Sequence, residues 1–162
     1  MKNGEKNFVL TDEGDINKFL GIEMTQLDDK IFKISQPYLT DRIISFLNID
    51  ANDHNVDTNA KPTPVGKPLL HKDLSGNPRK ETSNYRTAVG MMTYLQGNSR
   101  PEMSMAVHQT AHFCNNPMLS HEKAIKRLGQ YLSHTRKEGI VYNPDTSKVL
   151  ECYVDADFAG GW

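Results

Sequence analysis

Asp155 and Asp157 stand two apart at the end of an apolar-alternating run, Leu150, Cys152 and Val154. Side chains two apart on a strand project to the same face, so both carboxylates can approach one divalent cation. Phosphodiester hydrolysis by two metals needs further acidic ligands from other elements, because two hard cations about 4 Å apart must be held and neutralised. The residues after Asp157 are Phe158-Ala159-Gly160-Gly161-Trp162, with no carboxylate among them. The expectation is a pair of candidate Mg²⁺ ligands in a piece of a larger machine, cut as a new domain begins. The plain alternative is a solvated pair of acids at a strand end.

A second constellation is cationic. Lys123, Lys126, Arg127, Gln130, His134 and Lys137 fall on the side of a predicted helix opposite its apolar stripe. Cations at helical spacing can neutralise successive phosphates of a nucleic-acid backbone. Glu122 and Glu138 dilute that field, and the ordinary solvated face of an amphipathic helix explains the same pattern. His108, His112, Cys114 and His121 invite a zinc reading. The helical zinc-protease pattern, however, requires a Glu after the first His, where Gln109 stands, and no C-x-x-C pair exists. Asp28-Asp29, flanked by Leu27 and Lys30, reads as a polar turn rather than as a polymerase carboxylate pair.

These residues are carried by a chain of 162 residues with 24% charged and 37% apolar side chains, ordinary values for a globular protein. No apolar run approaches the length of a membrane helix, so no membrane partner is expected, and Met1–Lys6 lacks the apolar stretch of a signal peptide. Two distant cysteines, Cys114 and Cys152, exclude a disulfide framework and suggest a reducing compartment. The net charge of −1 is unevenly spread. Residues 1–57 carry 6 basic and 11 acidic side chains, whereas residues 58–162 carry 13 and 9. That asymmetry permits one basic face in the second half and nothing stronger.

The positioning elements follow from periodicity. Phe19–Met24 and Ile31–Ile34 are β-type runs around the polar segment Leu27–Lys30, a hairpin signal. Ser35 is placed to cap a helix with Pro37 in its first turn and an apolar stripe of Leu39, Ile43, Phe46 and Leu47. From Asp50 to Glu81, four prolines and two glycines leave no regular element, so this stretch is a linker or a strap along a neighbour's surface. Three helices come next. The first carries Tyr85, Ala88, Val89, Met92 and Leu95 and closes at Gly97. The second, after Pro101, carries Met103, Ala106, Val107, Thr110, Ala111 and Cys114. The third, capped by Ser120 and ended by Gly139, carries Ala124, Ile125, Leu128, Tyr131, Leu132 and Thr135. Two last β-type runs, Ile140–Tyr142 and Val149–Asp155, flank the turn Asn143–Thr146. The fold class is α+β.

Taken in order, these strings resemble the polyprotein of copia-type retrotransposons, from the end of reverse transcriptase into ribonuclease H. The resemblance rests on Phe19-Leu20-Gly21-Ile22-Glu23, Ser35-Gln36-Pro37-Tyr38-Leu39, Thr63-Pro64 and Tyr85-Arg86-Thr87-Ala88-Val89-Gly90. It continues through Ser99-Arg100-Pro101-Glu102-Met103, Pro117 with His121, Tyr131-Leu132-Ser133-His134-Thr135 and Asp155-Ala156-Asp157-Phe158. It implies four parts. Residues 1–49 would be the end of the polymerase palm with its primer grip and a thumb helix, 50–81 a linker, 82–139 a helical connection, and 140–162 the start of the nuclease.

Phe19, Leu20 and Gly21 would then hold the primer, and Lys123, Lys126, Arg127 and Lys137 would touch the duplex. Asp155 would be the first catalytic carboxylate, with Asp157 secondary. The implied partners are an RNA–DNA hybrid or template–primer and the remaining polymerase and nuclease domains. The implied cofactor is Mg²⁺, and the implied location is cytoplasmic particles or the nucleus. Neither catalytic set is complete within the chain, so no turnover is expected from it alone. The rival expectation is a degenerate element remnant, a helical module without activity.

Overall fold

The computed structural model describes residues 18–49, 63–66, 69–77, 85–145 and 147. Four antiparallel strands lie side by side in chain order: β1 (Lys18–Phe19), β2 (Ile22–Asp28), β3 (Ile31–Ser35) and β4 (Ile140–Tyr142). β1 and β2 pair through Phe19 and Ile22 around a two-residue turn, Leu20-Gly21. β2 and β3 form the expected hairpin, with Met24 opposite Ile34 and a bulge between Gln26 and Asp28. Its polar tip is closed locally: the Asp28 carboxylate accepts the Asp29 N–H at 2.8 Å, which satisfies a turn donor without any metal-binding geometry.

The fourth strand is expected from the sequence, but its partner is a finding of the structure. The run Ile140–Tyr142 pairs with β3, Phe32 opposite Tyr142 and Ile34 opposite Ile140. The run Val149–Asp155 lies outside the described residues. Gly139 makes this pairing possible, because a Cβ there would overlap the Ile34 carbonyl oxygen. Gly139 therefore serves a close strand approach and not a helix end.

The helices are α1 (Pro37–Phe46), α2 (Tyr85–Asn98), α3 (Ser104–Ala111) and α4 (Leu119–His134), with a 3₁₀ turn, Pro101–Met103, leading into α3. Helix α1 starts one residue later than Ser35 would place it. Ser35 ends β3, Gln36 is the cap residue, and Pro37 takes the first helical position, where its missing N–H costs nothing. The Gln36 side chain is buried and accepts a hydrogen bond from the Ser99 hydroxyl at 2.9 Å, tying α1 to the end of α2. Helix α2 runs one residue past Gly97, and the Asn98 amide bonds back to the Tyr94 carbonyl.

The apolar stripes meet in one core. Tyr85, Ala88, Val89, Met92 and Leu95 of α2 are all buried, as the 3.6-residue spacing requires. They pack with Ile43 and Ile44 of α1, Ala106 and Val107 of α3, and Ile125, Leu128, Tyr131 and Leu132 of α4. The buried Tyr85 hydroxyl donates to the Thr110 carbonyl at 3.0 Å, so the start of α2 is fixed to the end of α3. In the middle of α4, Gly129 leaves the space that Leu47 and Ile49 occupy.

Of the two readings of the long irregular stretch, its described parts support the strap. Asn77 offers its carbonyl to the Leu119 N–H at 3.1 Å, and the Asp73 carboxylate accepts the Ser120 hydroxyl at 2.7 Å. Ser120 is thus the second residue of α4, bonded to the strap and not capping the helix. The reach-back is made by His121, whose Nδ1 accepts the Met118 N–H at 2.9 Å while its Nε2 bonds to the His71 carbonyl at 3.0 Å. Among the described residues no helix is long and apolar enough to cross a membrane.

Candidate nucleic-acid interface

Among the described residues the turn at Leu20-Gly21 has an unusual local geometry, with two successive positive φ values. Its φ values are +49° and +78°, the both-positive pattern of a tight type I′ hairpin turn. Gly21 adopts that conformation freely. For Leu20 it costs roughly 1–2 kcal/mol, because the Cβ crowds the following carbonyl. Burial does not offset this cost: Phe19 is 63% exposed and Leu20 71%. Support comes from far along the chain, where the Tyr94 hydroxyl of α2 donates to the Leu20 carbonyl at 3.0 Å. At the base, Lys18 and Glu23 face each other across the strands with an ion pair of 2.9 Å. Two large apolar side chains are therefore held outward on a short, braced loop.

The cationic residues divide into two places. Lys123, Lys126 and Arg127 lie within the first nine residues of α4. Lys137 lies beyond the helix, which stops at His134; there Thr135 turns its N–H back to the Tyr131 and Leu132 carbonyls. Lys137 is instead next to the sheet, its carbonyl accepting the Lys33 ammonium. Within the α4 group, Lys126 pairs with Glu122 at 3.2 Å, one turn earlier. Arg127 is covered by the strap: its Nη2 donates to the Thr63 carbonyl at 3.2 Å, and its buried Nε has no partner among the described residues. The expectation of one continuous outer row is corrected on both counts, by the helix end before Lys137 and by the strap over Arg127.

A residue that spacing did not single out organises the centre. Arg100 is 1% exposed and lies where α2 gives way to the 3₁₀ turn. Its Nε bonds to Glu102 at 2.6 Å, its Nη1 to the Thr135 carbonyl at 3.0 Å and its Nη2 to the Thr135 hydroxyl at 2.6 Å. The guanidinium also lies 5.5 Å from the Tyr131 ring centre. Arg100 thus binds a carbonyl at the end of α4, where such groups lack helical partners, and carries its charge to a carboxylate. Burial, and after it the negative Glu102, raises the Tyr131 phenol above its usual value. The sequence signal was the string Ser99-Arg100-Pro101-Glu102, whose close charges mark an internal clamp as readily as a ligand site.

The histidines are separately occupied. The His121 ring stacks on Phe113 at 4.0 Å between its two hydrogen bonds, and His108 meets His112 edge to face at 4.8 Å. Among the described residues no group of three or more His, Cys, Asp or Glu side chains could hold a metal ion. Asp155 and Asp157 lie outside the described residues.

An α+β chain with this order of hairpin, helix, strap and helical cluster is similar to a segment of transposon polyproteins. It is 31% identical over 160 residues to the retrovirus-related Pol polyprotein from transposon RE1 of Arabidopsis thaliana, covering 99% of this chain and 10% of that protein. The corresponding protein from transposon RE2 of the same plant is 30% identical over 158 residues, 96% of this chain and 10% of the relative. The Pol polyprotein from transposon TNT 1-94 of Nicotiana tabacum is 28% identical over 164 residues, 96% and 12%. Over nearly its whole length the chain is similar to retrovirus-related Pol polyproteins of copia-type transposons. It spans about a tenth of the length of these curated relatives. No family model matches the chain, and no solved structure matches it.

Proposed function

We propose that this chain is the part of a retrotransposon Pol polyprotein that positions an RNA–DNA template–primer between the polymerase and ribonuclease H centres. The observation that carries the reading is the braced turn, which presents Phe19 and Leu20 outward on a backbone whose strain Tyr94 supports. Strained, exposed backbone held by a distant element is a functional signature when nothing in the core requires it. Apolar side chains on a rigid loop can pack against a sugar or base at a strand end, while phosphate contacts fix register independently of sequence.

In this reading the first hairpins act as the primer grip, α1 belongs to the thumb, and α2 to α4 form the connection. Lys123, Lys126 and Lys137 supply phosphate contacts at two separate points. Asp155, with Asp157 secondary, offers hard oxygen donors suited to Mg²⁺, which would supply Lewis-acid charge for hybrid hydrolysis in the intact polyprotein. The partners are the hybrid duplex and the other polyprotein domains, and the setting is the cytoplasmic particle or the nucleus.

The test is direct binding of a labelled RNA–DNA hybrid to the purified chain across a salt series. The expected result is affinity that falls with salt and weakens about tenfold when Phe19 and Leu20 are both changed to Ala. Lack of binding at low salt would favour the rival, a remnant without retained activity.

A further inference from the structure

A half-open cavity of about 240 Å³ separates the strap from α3 and α4. Arg127 and Lys123 reach it from α4, Val65 and Gly66 cover it from the strap, and Gln109 and Ala106 line it from α3. Its charge is one-sided: two cations face it and, among the described residues, no carboxylate does. The neighbouring Lys126 shows the contrast, since Glu122 lies 3.2 Å from its ammonium. Arg127 donates from Nη2 to the Thr63 carbonyl, but its buried Nε has no partner among the described residues. A buried guanidinium donor left unpaired is costly, and among the described residues none accepts from it.

We infer that Arg127 and Lys123 form, beneath the strap, a pocket for a single phosphate monoester. Guanidinium and ammonium together match a compact dianion with several acceptor oxygens, and Arg in particular suits phosphate geometry. Val65 and Leu128 add apolar wall on which a sugar or small ring can rest. The volume lies below the usual range for drug-sized ligands, which limits the occupant to about one nucleotide unit. The strap wall formed by Val65 and Gly66 suits a strand's end better than the middle of a continuous backbone. The occupant is therefore a strand's terminal phosphate or a free mononucleotide. The inference shares Lys123 with hybrid positioning but stands apart from it, since a free phosphate ester needs neither a duplex nor the turn at Leu20.

Calorimetric titration of the full chain would use inorganic phosphate, a nucleoside 5′-monophosphate, and one oligonucleotide with and without a 5′-phosphate. Saturable one-to-one binding of the monoester is expected, weakened about tenfold by Arg127→Gln and several-fold by Lys123→Gln. Ala124→Met, which fills the cavity without touching charge, should weaken it comparably, with its melting temperature checked to confirm folding. Lys126→Gln should leave it unchanged. A gain from the oligonucleotide's terminal phosphate would identify a strand end, and equal affinity for the mononucleotide would identify a free nucleotide. Affinity unaltered in both Arg127→Gln and Ala124→Met would overturn the pocket. Inorganic phosphate binding as tightly as any ester would overturn the assignment to an ester.

Discussion

The helical cluster and the sheet are built on opposite principles. Among the described residues fifteen apolar side chains are buried in the core, and all but Ile49 and Met103 come from the four helices. In the four strands no residue is buried, and Phe19, Met24, Leu27, Val141 and Tyr142 are among the large apolar side chains left exposed. The helices are held by apolar area removed from water. The sheet is held by backbone ladders and by single anchors, Tyr94 on one turn and the close approach at Gly139. Short strands without a buried face are marginal by themselves. Stability therefore resides in the helices, and available binding surface resides in the sheet.

The sharpest way to break this contrast is a matched pair of truncations. Leu95→Ala should cost about 2–5 kcal/mol in denaturant unfolding, because it opens a cavity in a fully buried site. Met24→Ala in β2 should cost less than about 1 kcal/mol. Equal costs would mean that the sheet shares the core's burden. Next in size, Arg100→Ala should destabilise by about 3 kcal/mol, since Thr135 and Glu102 lose their partner together; a change within experimental error would show that the clamp is dispensable.

Smaller effects probe the anchors. Gly139→Ala should release β4, seen as faster amide exchange at Ile140–Tyr142 while α2 remains protected. Tyr94→Phe should cost only about 1 kcal/mol in stability, with faster exchange confined to the Leu20 turn. The smallest effect is pH-dependent. The folded state raises the Tyr131 pKa and so holds the phenolic proton more tightly than the unfolded chain does. This contribution is complete below about pH 10 and is lost as pH rises through the raised value. Tyr131→Phe should remove that alkaline loss and leave neutral stability nearly unchanged, because the hydroxyl lies 3.5 Å from Glu102.

What was legible in the sequence follows the same division. The apolar stripe of α2 was readable residue by residue, because burial on one face imposes a period that a linear sequence records. The β2–β3 hairpin was readable because its strands are neighbours. The pairing of β4 with β3 was not, since three residues carry no address for a partner a hundred positions earlier. The basic row was misjudged because a helical wheel drawn through Lys137 assumes a helix that Thr135 ends, and because the strap over Arg127 has no periodicity of its own. Arg100 entered only as part of the string Ser99-Arg100-Pro101-Glu102-Met103, and His121 through a zinc reading. Their partners, Thr135 and His71, become visible only once the chain is folded. Positive φ at Leu20 was unreadable for another reason: leucine gives no signal for that conformation, and it persists here through a hydroxyl 74 residues away.

Hydrogen exchange of the unmodified chain with and without an RNA–DNA hybrid tests the central claim most directly. Positioning by the braced turn predicts slowed exchange at residues 18–23 on hybrid addition, with no change in the amides of the α2 core. Binding that leaves residues 18–23 as exchangeable as before would contradict it.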